Sequence, residues 1–351
     1  MMEEHIFKTD KILQLESGEV LKGFTLKYCT FGKINEDKSN VIWVSHALTG
    51  NANVASWWGG LFGENCLFNP KEHFVICVNV IGSCYGSTGP LSINPETGKP
   101  YYHQFPKITI RDIVATLNIL REHLNIHKIH TLIGGSLGGQ QALEWSVSHP
   151  DLFENMILLS SNAKHSPWGI AFNETQRMAI KADPSWKEEK PDAGKEGMKA
   201  ARAIAMLSYR NYETYEKTQF EEDNNLKDTF RAASYQNYQG EKLAKRFNAY
   251  SYWILSEAMD SHNIARGRKS IDEALSKIKA YTQVIGITTD ILFPIPEQRM
   301  IVRGIKNVTY EEINSTYGHD GFLVEMDQLD KSIRAFYKQK HKKQLINEQT
   351  Y

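Results

Sequence analysis

Ser136 stands inside Gly134-Gly135-Ser136-Leu137-Gly138. A strand-like apolar run, Ile129 to Ile133, leads in, and a helix-like run, Gln140 to Ser148, leads out. This is the pattern of a nucleophile elbow, a sharp strand-to-helix turn that displays a serine hydroxyl. The turn strains the serine backbone, and side chains on the flanking glycines would collide with strand or helix. Serine is a weak nucleophile at neutral pH. It needs a base within hydrogen-bond reach and a carboxylate to orient that base. In the order serine, acid, histidine, one pair fits. Asp290 follows the apolar run Val284-Ile285-Gly286-Ile287, and His319 lies in Tyr317-Gly318-His319-Asp320-Gly321 after the next strand-like run. Their separation, 319 − 290 = 29 residues, leaves room for a helix and a strand. Asp290 could instead form a turn or cap a helix, and His319 could be a surface-loop histidine. Of the 12 histidines, only His319 combines a glycine neighbour, this chain order and a strand end.

Acyl transfer also needs donors for the tetrahedral oxyanion. One is the backbone N–H after the nucleophile, that of Leu137. The other should come from a loop after an early strand. His46-Ala47-Leu48-Thr49-Gly50 follows Val41 to Ser45 and nominates the Leu48 N–H, to within one residue of register. His46 shares the strand-end address but precedes the elbow, so it is assigned to loop architecture.

These residues need a scaffold that gathers strand ends. Phe24–Phe31, Val41–Ser45, Phe74–Ile81, Met156–Ser160, Thr282–Ile287 and Val308–Ile313 read as strands. Ile113, Leu117, Leu120 and Leu124 recur at helical spacing, which predicts a helix over 109–124. Strands alternating with helices imply an α/β fold, a mostly parallel sheet flanked by helices on both faces. Ser136, Asp290 and His319 then all fall at C-terminal strand ends, where sites in such sheets form. Between about 163 and 279 no strand is evident, and helices are expected over 197–209 and 241–259. The expected organisation is an α/β core of 1–162 and 280–351, with 163–279 inserted as a helical lid. A last amphipathic helix is expected over 323–338.

Together these motifs resemble the homoserine O-acetyltransferase family, α/β-hydrolase-fold enzymes of methionine biosynthesis. The resemblance rests on His46 to Gly50, Asn79 to Pro90, Ser92 to Pro100, Gly134 to Gly139, Ala171 to Arg177 and Gly318 to Phe322. It implies a Ser136–His319–Asp290 triad, acetyl-CoA as co-substrate, L-homoserine as acceptor, and no metal or prosthetic group. It also implies an amino-acid pocket from Arg202, Tyr209 and Asp320. Arg202 and Tyr209 are seven residues apart, close to two helical turns, so they would share a face. Arginine's planar fork suits a carboxylate, and Asp320 can accept from an ammonium. The family's habit of pairing lids implies a homodimer, for which Tyr235, Tyr238, Tyr250, Tyr252 and Trp253 are candidate contacts. The chain departs from the family pattern at Leu137, Gln140 and Gly321, where Met, Met and Ala are common. Relatives acting on serine or using succinyl donors share much of the pattern, and an esterase would use the same triad with water.

Composition narrows the partners. Lys+Arg and Asp+Glu balance at 41 each in 351 residues. A chain without a basic surplus is a poor candidate for nucleic acid. The one basic run, Lys338 to Lys343, reads as a solvated tail end. No apolar run approaches a bilayer span, and the acidic start Met1-Met2-Glu3-Glu4-His5 shows no signal peptide. Four cysteines without metal spacing suggest free thiols in a reducing cytoplasm.

Overall fold

The computed structural model describes residues 2–348, with side chains through residue 342. In chain order come β1 (Met2–Gln14), β2 (Val20–Phe31), β3 (Val41–Ser45), α1 (Ala55–Trp58), β4 (Phe74–Val78), α2 (Ile110–His123), β5 (Ile129–Gly135), α3 (Leu137–Ser148) and β6 (Phe153–Leu159). The helices α4 (Pro167–Ala182), α5 (Lys195–Tyr209), α6 (Tyr212–Gln219), α7 (Arg231–Ala244), α8 (Ala249–Asp260) and α9 (Ile271–Ser276) follow. The chain closes with β7 (Tyr281–Ile287), α10 (Ile295–Gly304), β8 (Val308–Ile313), α11 (Gly321–Val324) and α12 (Met326–Glu348).

Among the described residues the strands form one eight-stranded sheet, ordered β1-β2-β4-β3-β5-β6-β7-β8. Strands β4, β3, β5, β6, β7 and β8 pair in parallel, while β1–β2 and β2–β4 are antiparallel. The sheet is covered on both faces, which explains the continuous apolar runs. Along β3, Val41 and Trp43 enter one core cluster, and Ile42 and Val44 enter the other. Because β4 and β5 flank β3 on opposite sides, the chain reverses direction there. Ligands collect beside such a reversal, at the carboxyl ends of the strands.

Thr109 begins α2 with a capping box, its hydroxyl accepting from the Asp112 N–H while the Asp112 carboxylate accepts from the Thr109 N–H. Strand β1 was not legible in the sequence. It is a mostly exposed edge strand carrying Glu3, Glu4, Lys8, Asp10 and Lys11, charges that discourage further edge pairing and mask strand periodicity.

Helices α4 to α8 form the insertion between β6 and the β7 end of the sheet. Its neck is closed by backbone pairing: the Ile264 N–H donates to the Ala163 carbonyl at 3.0 Å, and Lys164 bridges Asn263. From this neck onward the chain returns to the core, for α9 is seated on α10 with Leu275 against Gly304. The helix expected over 241–259 is two helices. It breaks at Phe247-Asn248, where the Asn248 side chain accepts from the Ser251 N–H and starts α8 afresh. The last helix runs to Glu348 rather than 338. It contains the whole basic run, of which the Lys343 side chain lies outside those described. No helix among the described residues is long and apolar enough to cross a membrane.

Candidate active site

Ser136 joins β5 to α3 with φ 57° and ψ −127°, a backbone shape that L-residues adopt only under constraint. Its N–H donates to the carbonyls of Leu159 (3.0 Å) and Ser160 (3.2 Å), and its own carbonyl accepts from the Ser161 hydroxyl at 2.9 Å. The glycines are required by close approach. A Cβ on Gly134 would lie 2.4 Å from the Gly138 carbonyl oxygen, and one on Gly138 would lie 2.1 Å from that of Ser45. The serine is thus held where strand, helix and the β3 end touch.

Asp290 and His319 come from the loops after β7 and β8. Thr289 ties these loops together: its hydroxyl donates to the Ser315 carbonyl (2.7 Å) and accepts from the Gly318 N–H (3.0 Å). Asp290 Oδ1 accepts from the N–H groups of Leu292 (2.8 Å) and Phe293 (2.9 Å). That leaves Oδ2 facing His319 Nδ1 at 2.7 Å. A carboxylate oxygen accepts, so Nδ1 is the nitrogen that donates to Asp290, and Nε2 is left with its lone pair free. The imidazole is gripped by rings, stacked on Phe293 at 5.0 Å and flanked by Phe322 and Tyr209 at 5.2 and 5.7 Å.

Ser136 and His319 line one cavity of about 410 Å³ together with Leu48, Arg202, Tyr209 and Asp320. Asp290 sits behind His319, and the buried Leu137 opens α3 beside the serine. The first N–H groups of a helix have no helical carbonyl to bond. Among the described residues, neither the Leu137 nor the Leu48 N–H donates to a protein acceptor. His46 is buried, and its imidazole accepts from the Val80 N–H at 3.2 Å. Its carbonyl accepts from Gln141 on α3 at 3.1 Å. Burial pulls its pKa down to about 4, so it ties the loop in place as a neutral ring.

The lid supplies the remaining wall. The Arg202 guanidinium lies over the Tyr209 ring, 5.1 Å from its centroid, and its buried Nε has no protein partner. Burial raises the Tyr209 phenol above its usual pKa, with Arg202 opposing. Asp320 is not alone: Arg210 Nε lies 3.0 Å from its Oδ2 as an ion pair. Burial raises the Asp320 carboxyl, and Arg210 and then Arg202 pull it back. Arg210 also stacks on Tyr317 at 5.4 Å, and Thr214 of α6 donates to the Thr316 carbonyl. The α5–α6 junction of the lid is therefore fastened to the loop that carries His319.

Sequence reasoning missed Arg210, Arg246, Lys242 and Trp57. The last three line the cavity, yet no local motif marks them. The Gln140 departure is buried, and its amide donates to Asn162 at 2.9 Å. Asn162 in turn donates to Glu297 at 2.9 Å, whose pKa burial raises. A Cβ on Gly321 would lie 2.8 Å from Ile287 Cγ2, so a glycine there relieves a tight contact. Among the described residues, no group of three or more His, Cys, Asp and Glu is placed to hold a metal.

An eight-stranded, mostly parallel sheet with a strained serine at the β5–α3 turn defines the alpha/beta hydrolase fold, and a sequence profile of that fold matches residues 40–325. The homoserine O-acetyltransferase of Cyclobacterium marinum is 54% identical over 336 residues, covering 96% of this chain and 95% of that protein. In structure, the homoserine O-acetyltransferase of Bacillus anthracis superposes with a TM-score of 0.88 at 25% identity, covering 96% of this chain and 97% of that one. An acetylester hydrolase from Corynebacterium glutamicum superposes at 0.85 with 23% identity over 96% of each chain, a likeness of fold. The chain belongs to the homoserine O-acetyltransferase family, and it is an acyltransferase.

Proposed function

We propose that the enzyme transfers acetyl from acetyl-CoA to the hydroxyl of L-homoserine through an acyl-serine intermediate, a step of methionine biosynthesis. One observation carries the reading. The cavity that holds Ser136 and His319 also holds an arginine with a buried unpartnered nitrogen, Arg202, and a carboxylate, Asp320. These are the two charges needed to grip an α-amino acid by its carboxylate and ammonium. Hydrolysis by the same triad calls for neither. Serine held by the same anchors would fall short of the acyl carbon by about 1 Å, a misplacement that lowers rate steeply.

The chemistry follows from the geometry. His319 Nε2 takes the Ser136 proton as Oγ attacks the thioester carbon. The N–H groups of Leu48 and Leu137 receive the oxyanion. The C–S bond breaks, CoA leaves with the proton, and the acetyl group remains on Oγ. The homoserine hydroxyl, deprotonated by His319, attacks that ester, and Ser136 recovers a proton from the imidazolium. Asp290 orients His319 and stabilises its cation in both halves. No step uses a metal or prosthetic group.

A homodimer through the lid is part of this reading, with a revised contact set. Tyr252 is buried within the lid and Tyr250 between the lid and Tyr102 and His103 of the core, while Trp168, Met178, Leu207, Tyr212 and Tyr238 expose apolar surface that supports a partner copy. The four cysteines are free thiols, which supports a reducing cytoplasm as the setting.

The test is the intermediate. Acetyl-CoA alone should add one acetyl group to the protein, mapped to Ser136, and Ser136→Ala should abolish both half-reactions because triad members act as a unit. Rapidly quenched samples without an adduct, at normal turnover, would exclude the acyl-enzyme route.

A further inference from the structure

The cavity is electrostatically lopsided. Its lining carries three cations, Arg202, Lys242 and Arg246, against one carboxylate, Asp320, in a chain whose formal charges cancel as a whole. Asp320 is engaged by Arg210 from outside the cavity, and Arg202 faces the acceptor end beside Tyr209. Lys242 and Arg246 remain without an assigned role.

Lys242 stands in the last turn of α7 and Arg246 in the turn just past its end, and both line the cavity. Both are solvent-exposed at the cavity wall shared with the β3 loop and Trp57. Among the described residues neither forms an ion pair. The adjacent Glu241 is taken by Lys199 at 2.7 Å. Arg246 is held in place: one terminal nitrogen donates to the Thr49 carbonyl at 2.6 Å and to the Tyr85 hydroxyl. Its other N–H groups stay free, and an arginine has five. Lys242 extends over Tyr238, 5.9 Å from the ring centroid, and makes no hydrogen bond.

We propose that Lys242 and Arg246 form a phosphate-binding rim that docks the nucleotide end of the acyl-CoA donor while its thioester reaches Ser136. The inference rests on the acyl-CoA reading above. A CoA thioester is a small acyl group at the tip of a long neutral arm whose other end carries a diphosphate and a ribose phosphate. The reacting carbon must reach the serine, so the phosphates stay at the mouth, where these two cations stand. Arg246 also fastens the Thr49 carbonyl of the loop bearing the Leu48 N–H, so the rim and the oxyanion loop share a residue. The competing explanation is that the two cations only complement the negative end of the α7 dipole.

Donors with and without phosphates separate the two. Acylation of Ser136 would be followed with acetyl-CoA and with S-acetylpantetheine, which has the same arm but no phosphates. Lys242→Gln, Arg246→Gln and the double variant would each be scored by the ratio of kcat/KM for the two donors. Two exposed ion pairs are together worth roughly a tenfold change. The double variant should therefore lower the ratio by about that factor, and the salt sensitivity of acetyl-CoA use should weaken with it. Because Lys242 makes no hydrogen bond, Lys242→Gln tests the rim without disturbing the β3 loop, and it alone should lower the ratio. Equal losses for both donors, or an unchanged ratio, would overturn the rim. If neither donor acylates Ser136 in the unaltered enzyme, the acyl-CoA reading fails and the rim fails with it.

Discussion

Arg202→Ala is the sharpest test of the acceptor pocket. The guanidinium is half-buried, its Nε is sealed from solvent without a protein partner, and its plane leans on Tyr209. An amino-acid carboxylate bound there would gain a charge-assisted contact that water cannot replace. Truncating one partner of a buried charged hydrogen bond costs about 2–5 kcal/mol. Arg202 is only half-buried, so the lower part of that range applies. About 3 kcal/mol, at about 1.4 kcal/mol per factor of ten, corresponds to a loss of roughly 100-fold in kcat/KM for homoserine. The first half-reaction does not involve the acceptor, so acetylation of Ser136 by acetyl-CoA should keep its rate. Arg202→Lys should rescue poorly, because an ammonium cannot make the two-point contact. The assay is release of CoA thiol at varied homoserine beside quenched measurement of the acyl-enzyme. Normal homoserine kinetics in Arg202→Ala would remove the residue from the pocket and refute the reasoning. An equal fall in both half-reactions would show that the change disturbs the lid and His319 instead.

Asp320 must be ionised to accept an ammonium, and burial raises its pKa while Arg210 and Arg202 lower it; as pH falls through that raised pKa the carboxylate gains a proton and kcat/KM for homoserine should drop. Arg210→Gln removes one restraining cation, so the midpoint of that fall should move to higher pH, and an unmoved profile would exclude Arg210 from this role. Gly138→Ala places a Cβ 2.1 Å from the Ser45 carbonyl oxygen, so α3 or β3 must shift at about 1–3 kcal/mol, read as a lowered Tm with lost acylation; an unaltered melt and full activity would contradict the packing described.

The elbow was legible because its constraints are local. Ser136 and its glycines encode a turn through backbone strain and hard contacts within a few residues, and Val41–Ser45 was read to the residue because a strand buried on both faces must be continuously apolar. Asp290 and His319 were found by chain order and strand ends, and the fold brings them to 2.7 Å through Thr289, which no motif announces. Arg210, Lys242 and Arg246 lacked any such signal. Their meaning depends on where the lid helices land: the Arg210 pairing with Asp320 spans 110 residues of chain (320 − 210). Tyr250 and Tyr252 looked like partner contacts but pack inward, because periodicity tells that a face is apolar and not what covers it. The edge strand β1 and the break at Asn248 were likewise decided by tertiary context. Local stereochemistry and polarity thus nominated Ser136, Asp290 and His319 and marked out the sheet that carries them. The shape and charge of the pocket around them were set by long-range packing, where the energy of each contact depends on surfaces far apart in the chain.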